Sequence, residues 1–156
     1  MSVHLATRKI IKDWTDYNEH MNMAYYVLIF DEAWETMLNK FHMGGANAQI
    51  NKRSTMVVET RTTYNNEVKE NEEVEVFCKF FDHDKKRLHL RCEMYEKKTK
   101  KLAATMESLS LYIDLEKRKV TEFDSDRKIL MDDCIKKNSS KFSTDKLIFL
   151  NKLKKI

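Results

Sequence analysis

Between Met23 and Phe41, apolar side chains fall at Ala24, Val27, Leu28, Phe30, Trp34, Met37, Leu38 and Phe41. This three- and four-residue spacing predicts one long helix whose apolar positions cover more than half its circumference. Such a helix cannot lie on a surface with one side bare, so the rest of the chain has to enclose it. Four strand-like runs follow: Thr55 to Asn65, Glu73 to Asp82, Arg87 to Glu96, and Leu102 to Asp114. The third is the clearest, with Leu88, Leu90, Cys92 and Met94 on one face and His89, Arg91, Glu93 and Tyr95 on the other. Short polar connectors, Asp82 to Lys86 and Lys97 to Lys101, imply antiparallel hairpins. Val3 to Lys12 alternates loosely and reads as a first strand. Gly44 and Gly45, the only two glycines, mark the helix exit. The plan is α+β, with a five-stranded antiparallel sheet wrapping a central helix.

With 156 residues, 42% of them hydrophobic, the chain can bury a core of ordinary size. The longest apolar run, Met23 to Phe30, is far short of the ~20 residues that span a bilayer. The opening Met-Ser-Val-His-Leu lacks the regions of a signal peptide, which places the protein in the cytoplasm. Cys78, Cys92 and Cys134 form no C-x-x-C, so no zinc cluster or disulfide framework is expected. Cys78 and Cys92 flank a hairpin and are expected as buried cross-strand thiols.

Residues 1 to 123 carry 20 Lys/Arg and 20 Asp/Glu, whereas residues 124 to 156 carry 9 and 5. The net charge of +4 therefore resides in the tail, and the body has no basic stripe of the kind nucleic-acid binders show. A domain over 1–123 and a basic extension over 124–156 follow from this change. Arg127 to Asn138 and Ser143 to Ile156 read as two short helices, the second with Leu147, Leu150 and Leu153 on one side. Packing on the body is the expected role of that stripe, ahead of membrane contact or partner docking.

The segment Asp16-Tyr17-Asn18-Glu19-His20-Met21-Asn22 places a carboxylate, an amide and an imidazole at alternate positions directly before the helix. Each can serve acyl transfer, as base or nucleophile, carbonyl clamp and hydrogen-bond donor. The helix start adds unpaired N–H groups and partial positive charge. Turn and capping chemistry is the competing explanation for Asp16 and Asn18.

This D-x-N-x-H-x-N segment, set between a strand and a helix beginning Ala24-Tyr25-Tyr26, resembles the hotdog-fold thioesterases of the 4-hydroxybenzoyl-CoA thioesterase-like group. Val58-Glu59-Thr60-Arg61, Lys86-Arg87-Leu88-His89-Leu90 and Leu102-Ala103-Ala104-Thr105 agree with it. The chain is similar to the small betainyl-CoA thioesterases of carnitine breakdown over residues 3 to 123. The resemblance implies an acyl-CoA thioesterase without metal or redox cofactor, coenzyme A being part of the substrate. It implies a homodimer or homotetramer with the site at a subunit interface. Asp16 then corresponds to the catalytic carboxylate, Asn18 and His20 to polar groups around the thioester carbonyl, and Glu59 to a further carboxylate acting across the boundary. Tyr25 and Tyr26 are candidates for the acyl pocket; Arg53, Lys85, Lys86 and Arg87 for the coenzyme A phosphates. An acyl-carrier-protein thioesterase and a non-catalytic acyl-CoA-binding protein are the alternatives. The chain departs from the group at Glu19, where bacterial relatives commonly carry glycine. An extra carboxylate there suggests a cationic acyl group of the betainyl type.

Overall fold

The computed structural model describes residues 2–138 and 142–155. Its elements run β1 (Val3–Lys9), α1 (Met23–Lys40), α2 (Gly45–Asn51), β2 (Arg53–Tyr64), β3 (Glu73–His83), β4 (Arg87–Glu96), β5 (Leu102–Asp114), β6 (Lys119–Val120) and α3 (Ser125–Lys137). The sheet is antiparallel, in the order β1-β3-β4-β5-β2, with the two-residue β6 added beside β5. The expected helix and five strands are all present. α2 and β6 are additions that the sequence reading lacks.

Alternation along β3 and β4 turns Val74, Val76, Cys78, Leu88, Leu90, Cys92 and Met94 inward, and all seven are buried. They meet Ile29, Phe30, Ala33 and Met37 of α1, each fully buried. Burying side chains of this size stabilises the fold by about 2 kcal/mol apiece. Cys78 and Cys92 are direct cross-strand partners, as expected. A hydrogen bond with Cys78, reinforced by burial, holds the Cys92 thiol well above its usual range, which keeps it protonated and inert.

One expectation about α1 is corrected. It is not enclosed on all sides: Ala24, Val27 and Leu28 lie on its exposed face, the last two at 40% and 38%. The glycines follow the helix exit, Gly44 between α1 and α2 and Gly45 opening α2. His42 takes the positive φ of 55°, while Gly44 has φ −70°. A Cβ at Gly44 would meet the ends of the Asn39 and Glu35 side chains, which would have to swing aside.

The chain after α3 is also corrected. Residues 143–155 form two 3-10 turns, Thr144–Lys146 and Leu150–Lys152, joined by extended backbone; Ile156 lies outside the described residues. The cause is two carboxylates that intercept the backbone donors a helix would use. Glu107, 1% exposed, accepts the N–H groups of Ile148 (2.9 Å) and Phe149 (2.8 Å) and the Nε2–H of buried His89 at 2.7 Å. Asp84 accepts the N–H of Lys154 at 2.8 Å, together with those of Lys86 and Arg87. Burial pushes Asp84 up, but these donors and the Arg87 guanidinium outweigh it and hold the carboxyl below its usual range. The segment thereby straps the outer face of the sheet, with Phe149 against His89 and Phe142 against Arg91. Among the described residues, no helix is long and apolar enough to cross a membrane.

Removing the Glu107 carboxylate strands three donors, two of them, on Phe149 and His89, buried. Glu107→Ala is therefore expected to cost about 3–5 kcal/mol in urea unfolding. A loss below about 1 kcal/mol, the range of ordinary surface substitutions, would contradict the anchoring role.

Candidate active site

β1 ends at Lys9, and the chain then turns through Asp16 to Asn22 before entering α1. The turn is held at both ends. An antiparallel bridge joins Thr15 and Met21, the Met21 N–H donates to the Val68 carbonyl at 2.7 Å, and the Asn22 N–H to that of Trp14 at 2.9 Å. Asn22 caps α1: its Oδ1 accepts from the Ala24 N–H at 3.0 Å. Its amide nitrogen donates to Asp16 Oδ2 at 3.1 Å, so one side chain ties the carboxylate to the helix start. Asp16 Oδ1 accepts the Asn18 N–H at 2.8 Å. The Asn18 bond is the main reason the carboxyl lies below its usual range, with Asn22 and the nearby His20 acting in the same direction. Asp16 is thus an anion at neutral pH, half-buried and fixed in position.

His20 Nδ1 lies 3.1 Å from the Met21 carbonyl, which can only accept, so Nδ1 carries the hydrogen and the Nε2 lone pair is left available when the ring is neutral. Glu19 forms the tip of the turn with φ 64° and an exposed side chain. Glutamate occupies a left-handed conformation there, one that glycine adopts at least cost.

Beside the turn lies a mainly apolar cavity of about 210 Å³, walled by His20, Met21, Met23, Tyr26, Tyr64 and Asn66 among others. Tyr26 is buried and its hydroxyl donates to the Asn66 carbonyl at 3.3 Å; Tyr64 meets Tyr26 edge-on at 5.3 Å and reaches the Met23 carbonyl at 3.5 Å. Tyr25 turns away and stacks on Trp14 at 5.8 Å. Asp16 does not line the cavity; His20 does. The N–H groups of Met21 and Asn22, just before the helix, are taken by Val68 and Trp14. Those of Ala24 and Tyr25 go to Asn22, and neither bond uses the Met23 N–H.

Asp16, Asn18, His20 and Tyr26 are therefore brought together. Glu59, Arg53, Lys85, Lys86 and Arg87 are not. Glu59 stands on β2 five residues from Tyr64, roughly 17 Å along the strand, and its carboxylate is 3.9 Å from Lys152. Arg53 is at the far end of β2, paired with Asp114 at 3.2 Å. Lys85 to Arg87 form the β3–β4 turn at that same far end, with Arg87 held by Asp84 at 3.0 Å. Asn22 and Tyr64 are the site residues the sequence reading missed. Asn22, the last residue before the helix, carried a readable capping signal. Tyr64 carried none, because only the return of β2 along α1 brings it there.

The sequence and the fold match known proteins. The profile of the thioesterase-like superfamily matches residues 11–132. A betainyl-CoA thioesterase from Pseudomonas aeruginosa is 27% identical over 75% of this chain and 74% of its own length. A bifunctional L-carnitine dehydrogenase/betainyl-CoA thioesterase from Rhizobium meliloti is 24% identical over 72% of this chain and 22% of its length. In structure, a Staphylococcus aureus protein solved in complex with CoA superposes with TM-score 0.80 at 22% identity, over 87% of this chain and 86% of that one. A 1,4-dihydroxy-2-naphthoyl-CoA thioesterase from Synechocystis superposes with TM-score 0.75 at 15% identity, over 85% and 97%. The chain belongs to the thioesterase-like superfamily and has the hotdog fold. It is a thioester hydrolase by that membership.

The positive φ at residue 19 is testable by unfolding. Glu19→Gly is expected to be neutral or to stabilise by up to about 1 kcal/mol, and the β-branched Glu19→Val to destabilise by about 1–2 kcal/mol. Equal stability of the two variants would contradict the left-handed turn.

Proposed function

We propose that the protein hydrolyses a small or medium acyl-CoA to the free acid and coenzyme A, and that Asp16 is the group that does it. The observation that carries this reading is the Asp16–Asn22 hydrogen bond, which sets an ionised carboxylate at the start of α1 beside the cavity. A carboxylate held below its usual range is a weak base but remains an available nucleophile at neutral pH. Direct attack on the thioester carbon, expelling the thiolate and leaving a mixed anhydride, is favoured over deprotonation of water. The Met23 N–H at the helix start is the donor nearest the developing oxyanion, whereas neutral His20, with a lone pair on Nε2, serves as a proton acceptor at the cavity wall. Hydroxylamine added during turnover is expected to trap the acyl group as a hydroxamate. Failure to trap it would favour the general-base route.

The unit that works is a dimer. β2 is an edge strand with no neighbour beyond it among the described residues, and Met56, Val57 and Val58 are each about half exposed along it (46–51%). An unpaired apolar edge of this kind is a template for a second strand. Antiparallel pairing of two β2 edges sets the Arg53 end of one chain against the Tyr64 end of the other. That brings Arg53, with the Lys85 to Arg87 turn behind it, toward the catalytic turn of the partner subunit, where coenzyme A phosphates need cations. Glu59, near the middle of β2, falls at the boundary. The acyl group is of the kind the relatives' names indicate, betainyl or a similar small acyl chain.

Asp16→Asn is expected to lower kcat for free-thiol release by about 10³-fold with little change in KM. Full activity in this variant would remove the proposal. The acidic limb of the wild-type kcat/KM profile should lie below the ordinary carboxylate value of 3.8, since the active form is the anion and its protonation is held to lower pH. A limb centred near pH 6 would implicate a different group. Val58→Lys is expected to yield folded, inactive monomers in sedimentation; an active monomer would exclude a site shared across β2.

A further inference from the structure

The basic C-terminal strap, residues 142–155, has no part in the hydrolysis step, yet it ends beside the β3–β4 turn. A cavity of about 330 Å³ lies there, walled by Asp84, Lys85, Lys86, Arg87, Glu122 and Lys154. We infer that this cavity holds the phosphorylated nucleotide end of coenzyme A, and that the strap completes it by supplying Lys154. The inference rests on the acyl-CoA thioesterase reading, which already turns Lys85 to Arg87 toward coenzyme A. What it adds is the strap, a segment that follows the residues matching the thioesterase-like profile.

Charge pairing is the first argument. Arg87 is held by Asp84 at 3.0 Å, Arg53 by Asp114 at 3.2 Å and Lys155 by Asp82 at 2.6 Å. The three lysines of the cavity have no such partner. Lys85, Lys86 and Lys154 are exposed, and none forms an ion pair among the described residues. Asp84 is engaged by Arg87, which leaves Glu122, itself exposed, as the one carboxylate facing three ammonium groups. Excess positive charge gathered at one hollow complements an anion bearing several charges.

The second argument is that the lysine backbones are fixed while their side chains are free. The Lys85 carbonyl accepts the Phe123 N–H at 2.9 Å, and the Lys86 carbonyl accepts that of Tyr112 at 2.8 Å. Asp84, 6% exposed, accepts the N–H groups of Lys86, Arg87 and Lys154 at 2.7–2.8 Å. One buried carboxylate thus sets the turn and the strap in a single frame, with the ammonium groups at its rim. Lysine binds phosphate as a point charge and needs no fixed fork to do so.

Placement is the third. Lys86 is joined to Tyr112 of β5, and Tyr112 pairs with Thr55 of β2, so the turn stands two strand spacings, about 10 Å, from the β2 edge. In the β2-edge dimer, the partner's Tyr64 lies across that edge, and an extended pantetheine arm connects the cavity to a thioester at the partner's Asp16. The shape favours a nucleotide over a protein. The lysines border a concavity instead of spreading over a flat face, and its volume falls at the lower end of the ~300–1,000 Å³ typical of small-molecule sites.

Calorimetric titration of the intact chain with coenzyme A tests the assignment separately from catalysis. Lys154→Glu and Lys86→Glu are each expected to weaken coenzyme A binding at least about fivefold, and Lys154→Arg to retain wild-type affinity. The Lys154 side chain is exposed and its anchor to Asp84 is a backbone bond, so these substitutions leave the strap in place. Lys9→Glu, the same charge change at an exposed site on β1, the opposite edge of the sheet, is expected to stay within about twofold of wild type. No measurable binding by the wild type, affinities within about twofold in both glutamate variants, or an equal loss in Lys9→Glu would overturn the inference. So would a loss confined to turnover of an acyl-carrier-protein thioester, which would make the cavity a docking site for an acidic protein. Thiol release from acyl-CoA, measured alongside, separates the two readings. Release with unmoved affinities refutes the cavity assignment alone, and no release from any acyl-CoA removes the thioesterase reading whatever the affinities.

Discussion

Burial of a single stripe of α1 against the inner face of a curled antiparallel sheet is the constraint on which the rest of the molecule depends. Ile29, Phe30, Ala33 and Met37 fix the helix against β3 and β4, and that fixes where its first turn points. Asn22 then couples the helix start to Asp16, so the position of the carboxylate is set by core packing rather than by a mobile loop. The stripe is narrow enough to leave the opposite face of α1 bare. Because β2 is also bare along its edge, the unfinished surfaces of the molecule adjoin one another, and the cavity beside the catalytic turn opens at one end of them.

The outer face of the sheet is finished by a different device. Residues 142–155 lie over His89 and Arg91 with Phe149 and Phe142, and buried carboxylates hold their backbone directly. Glu107 accepts from two successive N–H groups and from His89, which satisfies a buried charge that would otherwise be costly. Phe142 and Phe149 lie on Phe80 and His89, adding aromatic contact to the polar anchors. With that face covered by its own chain, the β2 edge is the exposed apolar border of the sheet.

Much of this was legible in the residues, for identifiable reasons. The limits of β4 and β5 follow from alternation that tertiary contacts do not disturb, and α1 from apolar spacing sustained over five turns. α2 escaped because Gly-Ala-Asn-Ala-Gln-Ile-Asn has no apolar stripe and buries nothing fully. The C-terminal leucines gave a helical spacing, but Glu107 and Asp84 take the donors of that backbone, and no local pattern announces a partner some 40 or 70 residues away. At the site, the heptad disclosed Asp16 and its neighbours; Tyr64 and the cavity it lines come together only once strands return along the helix.

The central claim is that hydrolysis takes place at Asp16 in a site completed by the opposite chain. The most direct test mixes two weakened variants, Asp16→Asn and Arg53→Glu, by co-refolding at equal amounts and assays thiol release from betainyl-CoA below KM. If the site joins Asp16 of one chain to Arg53 of the other, half the dimers are mixed and each mixed dimer keeps one intact site, so about a quarter of wild-type activity returns. A mixture no more active than the mean of its two parents would contradict the account.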